Sequence, residues 1–181
     1  MFEELGGKKY QIIYADPPWS YRDKCAAGKR GAGFKYATMS IYELQNMNVG
    51  PISDEDCALF MWVTMPQLND GLTVIDRWGF KFKTAAFTWI KRNKKAESLF
   101  WGMGNWTRAN AEICLFATRG KPTRESASVH SVIVAPIGRH SAKPPEVRDR
   151  IVQLLGDRPR VELFARETVD GWDAWGNEVN Q

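Results

Sequence analysis

The sequence predicts an α/β fold in which a mostly parallel central sheet carries helices on both faces. Three observations carry that reading. Short apolar runs at 10–15, 57–63 and 112–118 have the length and composition of strands. Stretches with apolar residues at helical spacing lie between strands, at 40–50, 66–79 and 144–155. Several strand runs are apolar without interruption, as strands covered on both faces are, rather than alternating as half-solvated ones do.

Taken in order, Tyr10 to Ala15 forms the first strand, and it must stop at Asp16-Pro17-Pro18-Trp19 because two prolines can neither donate to a ladder nor continue a helix. Residues 20–38 mix glycine and charge without periodicity and read as a long loop. Ser40 and Glu43 have capping-box spacing, so a helix starts at Ser40, presents Ile41, Leu44 and Met47 on one face, and closes at Gly50-Pro51. Cys57 to Val63 is a strand buried on both faces. Pro66 suits a first helical turn, and Leu68, Leu72, Ile75 and Trp78 continue at helical spacing to Gly79. Phe80 to Ile90 is a strand, 93–109 a second long loop, and Glu112 to Thr118 and Ser131 to Ala135 are further strands. Pro144 to Leu155 is a helix with Val147, Ile151 and Leu154 inward and Gly156 at its end, and Arg160 to Phe164 is the last strand. No linker, repeat or low-complexity segment divides the 181 residues, which are expected to form a single domain, 1–181.

Composition narrows the function. No apolar run approaches the roughly 18 residues of a membrane span, and the acidic start is unlike a signal peptide, so a cytoplasmic protein is expected. Three widely spaced cysteines and two histidines make neither a disulfide framework nor a metal site, and no metal is expected. The net charge is +4, and the cations cluster: Arg22, Lys24, Lys29, Arg30 and Lys35; Lys91, Arg92, Lys94 and Lys95; Arg119, Lys121 and Arg124. Three such loops on one side of a cleft would make a phosphate-binding track.

In an open α/β sheet ligands bind beyond the carboxyl ends of the strands, which is where Asp16-Pro17-Pro18-Trp19 falls. The motif sets a carboxylate, a rigid backbone offering carbonyls without donors, and a large aromatic face side by side. An amino group on a planar ring suits this set: Asp16 and the Pro17 carbonyl accept its two hydrogens, localising a lone pair otherwise delocalised into the ring. Trp19 would stack on the base, worth about 1–3 kcal/mol. A sulfonium methyl is a fitting electrophile, and an anionic Asp16 beside that cation is favourable in a water-excluded site. No cysteine follows a proline as a nucleophile for ring-carbon methylation would, so direct transfer is expected.

Asp16-Pro17-Pro18-Trp19 resembles motif IV of the adenine amino-methyltransferases of the MT-A (70 kDa) family. Further stretches are similar in the same order: Tyr36 to Ser40, Gly104 to Arg108 followed by Glu112, Arg119-Gly120, His140 to Pro144, Glu162 to Arg166, and Trp175 to Glu178. The resemblance implies a Rossmann-like methyltransferase fold with circularly permuted, β-class motif order, and S-adenosylmethionine as cofactor. It implies that Asp16, Pro17, Pro18 and Trp19 form the catalytic motif, with Asp16 also against the cofactor. It further implies that Lys143 holds the cofactor carboxylate, that Glu162 and Phe164 lie against the cofactor, and that Arg166, Asn177 and Glu178 reach its ribose. Substrate contacts are expected from Trp19, Tyr21, Lys29, Arg30, Tyr36, Trp106 and Arg108.

The chain departs from the family in two places: Thr168-Val169 stands where mRNA-type members have His-Asn, and Glu178 replaces Gln. Only 15 residues precede Asp16, which leaves the pocket for the cofactor adenine unassigned. The expected product is N(6)-methyladenine, in DNA in preference to RNA for so compact a member. A homodimer or a partner subunit is an open arrangement. The alternatives are an RNA adenine methyltransferase, a cytosine amino-methyltransferase and an inactive nucleic-acid-binding subunit.

Overall fold

The structure is a computed structural model and describes residues 1–20, 38–104, 106–138, 142–177 and 179. Its strands are β1 (Tyr10–Ala15), β2 (Ser53–Val63), β3 (Lys81–Arg92), β4 (Glu112–Arg119), β5 (Val132–Pro136), β6 (Arg160–Leu163) and β7 (Asp173–Trp175). They form one sheet in the order β5-β3-β4-β2-β1-β6-β7. Only β4 is antiparallel to its neighbours; every other pairing is parallel.

The two-residue period of the strands divides the core cleanly. Ile13 and Ala15 of β1, Leu59, Met61 and Val63 of β2, and Val161 and Leu163 of β6 face α1 (Ile41–Gln45) and α2 (Leu68–Arg77), where Leu44, Val74 and Ile75 are buried. The alternate residues Ile12, Tyr14, Phe60 and Trp62 face α3 (Glu146–Leu155), which contributes Val147, Ile151 and Leu155. This is the expected sandwich, with helices on both faces of a mostly parallel, Rossmann-like sheet. Cys57 to Val63 is buried at every position, as a central strand between two helical layers must be.

Local chemistry sets the element ends. Ser40 and Glu43 close the capping box, with Glu43 N donating to Ser40 Oγ at 3.2 Å and Ser40 N donating to Glu43 Oε2 at 2.7 Å. The helix is shorter than its pattern: it stops at Gln45, where the Asn46 side chain bonds the Tyr42 carbonyl, although Met47 is still buried beyond it. Pro66 lies in a 3-10 turn, Met65–Gln67, that leads into α2. α3 begins at Glu146 rather than Pro144, whose carbonyl accepts from Val147 N at 3.1 Å. β7 was not expected, since three half-buried edge residues carry no periodicity.

The antiparallel direction of β4 corrects one expectation. Arg119 pairs with Cys57 near the start of the parallel strands, and Lys121 N donates to Asp56 Oδ1 at 2.6 Å. The cluster of Arg119, Lys121 and Arg124 therefore follows a strand that runs away from the edge where β1 ends. It cannot share a rim with Lys91 and Arg92, which close β3 at that edge. The cluster at 22–35 lies outside the described residues. Among the described residues no helix is long and apolar enough to cross a membrane.

At the β6 and β7 ends the backbone is tightly folded. Phe164 has φ 62, a left-handed conformation costly for a bulky residue, and Ala165 N donates to the Trp175 carbonyl at 3.0 Å. A Cβ on Gly176 would overlap the Ala165 backbone. We expect Gly176→Ala to lose about 1–3 kcal/mol of stability by urea unfolding, as overpacked sites do; an unchanged midpoint would show that this approach can relax.

Candidate active site

Connections leave β1 toward β2 on one side and β6 toward β7 on the other, so the carboxyl ends of β1 and β6 form a topological switch point, where α/β sheets bind ligands. The register places Ala15 beside Leu163 and Leu163 beside Trp175, which brings Asp16, Phe164 and Gly176 to successive positions along this edge. β4 enters the sheet here because it runs backward. Its first residue, Glu112, pairs with Trp89 of β3, close to where Lys91 and Arg92 end that strand.

Four charges meet at the edge. Lys143 Nζ donates to Asp16 Oδ2 at 2.8 Å and lies 3.3 Å from Glu112 Oε2. Lys91 Nζ approaches Glu112 Oε1 at 2.5 Å. Side-chain exposure is 20% for Asp16, 11% for Lys143, 15% for Glu112 and 19% for Lys91, so water screens these contacts poorly. The Lys143 ammonium lies 5.5 Å from the centroid of the Trp62 ring, whose Nε1 donates to Tyr14 Oη at 2.7 Å. Tyr14 sits two residues before Asp16, and its hydroxyl is held well above the usual tyrosine range, by burial first and then by neighbouring negative groups.

Burial opposes the charge on Lys143, yet Asp16 and Glu112 hold its ionisation above the ordinary lysine value. Burial also opposes the charge on Glu112, and Lys143 and Lys91 overcome it, holding that carboxyl below the usual range. Lys143 and Glu112 are thus each kept charged by their neighbours. Asp16 Oδ2 is taken by Lys143, while Oδ1 meets no hydrogen-bond donor among the described residues.

The sequence-predicted residues divide into those gathered at this edge and those placed elsewhere. Asp16, Pro17, Pro18 and Lys143 are gathered there. The Pro17 carbonyl accepts from Trp19 N at 2.8 Å, and the Pro18 carbonyl from Met39 N at 2.9 Å, so the motif is folded back on itself. Trp19 corrects its expectation. It is 6% exposed, its Nε1 donates to the Trp62 carbonyl at 3.0 Å at the end of β2, and its ring packs in the core near Gly71 of α2. In this arrangement the ring has no open face for a base.

Glu162 is also redirected. It follows Val161 on the opposite face of β6, toward α3, where Arg148 Nε and Nη2 bond its two oxygens at 2.6 and 3.0 Å. Burial pushes its ionisation up, with Arg148 opposing. Its carboxylate braces α3 against β6 and is not presented to a ligand.

Phe164 is half-buried with its ring 5.7 Å edge-on from Trp175, Arg166 is half-buried, and Asn177 is exposed just past Gly176. Trp106 is 98% exposed and Arg108 donates to the Trp101 carbonyl at 3.2 Å, both on the loop joining β3 to β4. Tyr21, Lys29, Arg30, Tyr36 and Glu178 lie outside the described residues. The residues that sequence reasoning missed are Lys91 as a charge partner, and Tyr14 and Trp62 beneath the ammonium. The signal for Tyr14 was its position two residues before Asp16, on the same side of the strand. Among the described residues no group of three or more His, Cys, Asp or Glu could hold a metal ion.

The fold and site together define a Rossmann-like domain with a carboxylate–ammonium pair at its switch point. The comparisons with known proteins resolve the family: MT-A70 matches residues 10–178. A type II methyltransferase, M.MunI from Mycoplasma sp, is 37% identical over 99% of this chain and 82% of its own length. An N(6)-adenosine-methyltransferase MT-A70-like protein of Arabidopsis thaliana is 29% identical over 94% of the chain and 24% of its own length. The human N(6)-adenosine-methyltransferase catalytic subunit METTL3 is 27% identical over 95% of the chain and 28% of its own length. The chain thus spans most of the Mycoplasma protein and about a quarter of the plant and animal ones. It belongs to the MT-A70 family and is a methyltransferase.

Replacing Lys143 with Met would leave two buried carboxylates facing each other. We expect a loss of about 3–5 kcal/mol at neutral pH, the scale for breaking a buried pair. Because the depressed Glu112 ionisation stabilises the fold above the usual carboxylate range and is lost as pH falls through its folded value, the deficit should shrink on acidification. Urea unfolding at about pH 7 and pH 4.5 reads both effects; a deficit that grows in acid would contradict this assignment.

Proposed function

We propose that this methyltransferase modifies the exocyclic N(6) amino group of adenine in DNA, as a single domain using S-adenosylmethionine. The observation that carries the reading is the Asp16–Lys143 pair at the switch point: it sets a carboxylate against an ammonium group in a poorly hydrated site while leaving Oδ1 for a substrate donor. Asp16 Oδ1 accepts one hydrogen of the amino group, and a second acceptor nearby, the remaining lone pair of the Pro17 carbonyl, accepts the other. Both bonds draw the nitrogen lone pair out of the ring and toward the methyl donor.

The residues at the edge suit the cofactor. Lys143 would hold its carboxylate, the close approach of Gly176 to the end of β6 leaves backbone there without an intervening side chain, and Asn177 would take the ribose hydroxyls with Arg166 nearby. S-adenosylmethionine, when bound, supplies an electrophilic methyl group. Among the described residues every named strand joins one sheet, which supports a single domain.

DNA is favoured over RNA because the relative spanned almost throughout is a compact type II methyltransferase, whereas the adenosine methyltransferases are about four times longer than the matched region. A duplex substrate requires the base to be turned out, at a few kcal/mol. Lys94, Lys95 and Arg108 with the exposed Trp101 and Trp106, on the loop beside Glu112, supply cations and aromatic faces for nucleic acid at this edge.

Methyl transfer from labelled cofactor to single-stranded DNA, duplex DNA and RNA, followed by digestion to nucleosides, tests the proposal. Label should appear in N(6)-methyladenine from DNA and fall by about a hundred- to a thousandfold in Asp16→Ala, the scale for removing a principal transition-state contact. Label in N(4)-methylcytosine, in RNA alone, or undiminished in the variant would overturn it.

A further inference from the structure

We propose that Glu112 is a positioning residue for the cofactor site: with Asp16 it holds the Lys143 ammonium in place and so keeps that cation available to the cofactor carboxylate. The inference rests on the cofactor reading above and goes beyond it, since it assigns a role to a residue that carries none in that reading.

Two features of the geometry require such a clamp. A lysine has a long flexible stem, and its buried head must either be paired or lose its charge. Asp16 alone would be a poor anchor, because it must also receive the substrate amino group. Glu112, 3.3 Å from Nζ, supplies a second carboxylate that does no chemistry, so Asp16 keeps an oxygen for substrate. Lys91 fixes Glu112 in turn, and Asn110 at the foot of β4 bonds both the N–H and the carbonyl of Lys91 at 2.9 Å. The clamp is thus built into the β3–β4 ladder rather than hung on a mobile loop.

Among the described residues, the charged and titratable groups facing Lys143 include Asp16 from β1, Glu112 from β4, Lys91 from β3 behind Glu112, and the buried Cys114 thiol of β4. Burial holds that thiol in its neutral form, well above the usual thiol range. Removing Glu112 takes away one of the two carboxylates that oppose the effect of burial, so the ammonium loses its proton at lower pH, and anion binding with it.

S-adenosylhomocysteine carries the same carboxylate and serves as the probe. Its Kd is measured by calorimetry from about pH 7 to pH 10.5 on wild type, Glu112→Gln and Glu112→Asp. The pH at which affinity begins to fall should lie about one unit lower in Glu112→Gln than in wild type, so that near the top of that range it binds up to about tenfold more weakly relative to wild type. Glu112→Asp, which keeps the charge, should follow the wild-type profile and remains informative should the neutral variant not fold. A merely structural lesion would weaken binding equally at every pH, and that parallel profile would overturn the inference. So would a Glu112→Asp protein whose affinity falls with pH relative to wild type. Absence of binding by wild type would instead overturn the cofactor reading itself.

Discussion

Two carboxylates and two ammonium groups share a poorly hydrated edge of the sheet, and none of them tolerates that burial alone. Isolated, each would cost several kcal/mol or give up its charge. Arranged as Asp16, Lys143, Glu112 and Lys91 in alternation, each finds an opposite charge within 3.3 Å. Much of the architecture can be understood as the means of bringing these four together. β1 must end abruptly at two prolines to release Asp16, and β4 must run backward to deliver Glu112 to the same edge. Trp62, tied to Tyr14, sets its ring beside the ammonium from the central strand.

The fold was largely legible because it rests on patterns that persist over many residues. The buried run from Cys57 to Val63 and the helical stripe of α2 depend on hydrophobic spacing, and tertiary packing reinforced both. The capping box at Ser40 was legible for a different reason, since its two hydrogen bonds close within four residues. Where competing local bonds intervened, the reading overran: the Asn46 side chain ended α1 although burial continued to Met47.

The site was legible only in part. Asp16 could be placed because a strand end is a local event. Its partners could not, because Glu112 and Lys91 reach it through strand direction, a long-range choice that no short window encodes. Trp19 shows the converse error. An aromatic residue beside a catalytic carboxylate invites a stacking role, but the carbonyl at the end of β2 offered its indole N–H a partner, and the ring packed inward. Glu162 erred through strand parity: one position along β6 turned its carboxylate to Arg148 and α3.

The account stands or falls on whether this carboxyl edge is where the cofactor binds. A crystal structure of the protein with S-adenosylhomocysteine is the most direct test. The account predicts the ligand carboxylate within hydrogen-bonding distance of Lys143 Nζ, with the ribose beside Asn177 and the sulfur directed toward Asp16. A ligand at another edge of the sheet, or one at this edge with Lys143 still turned away from it, would contradict the account.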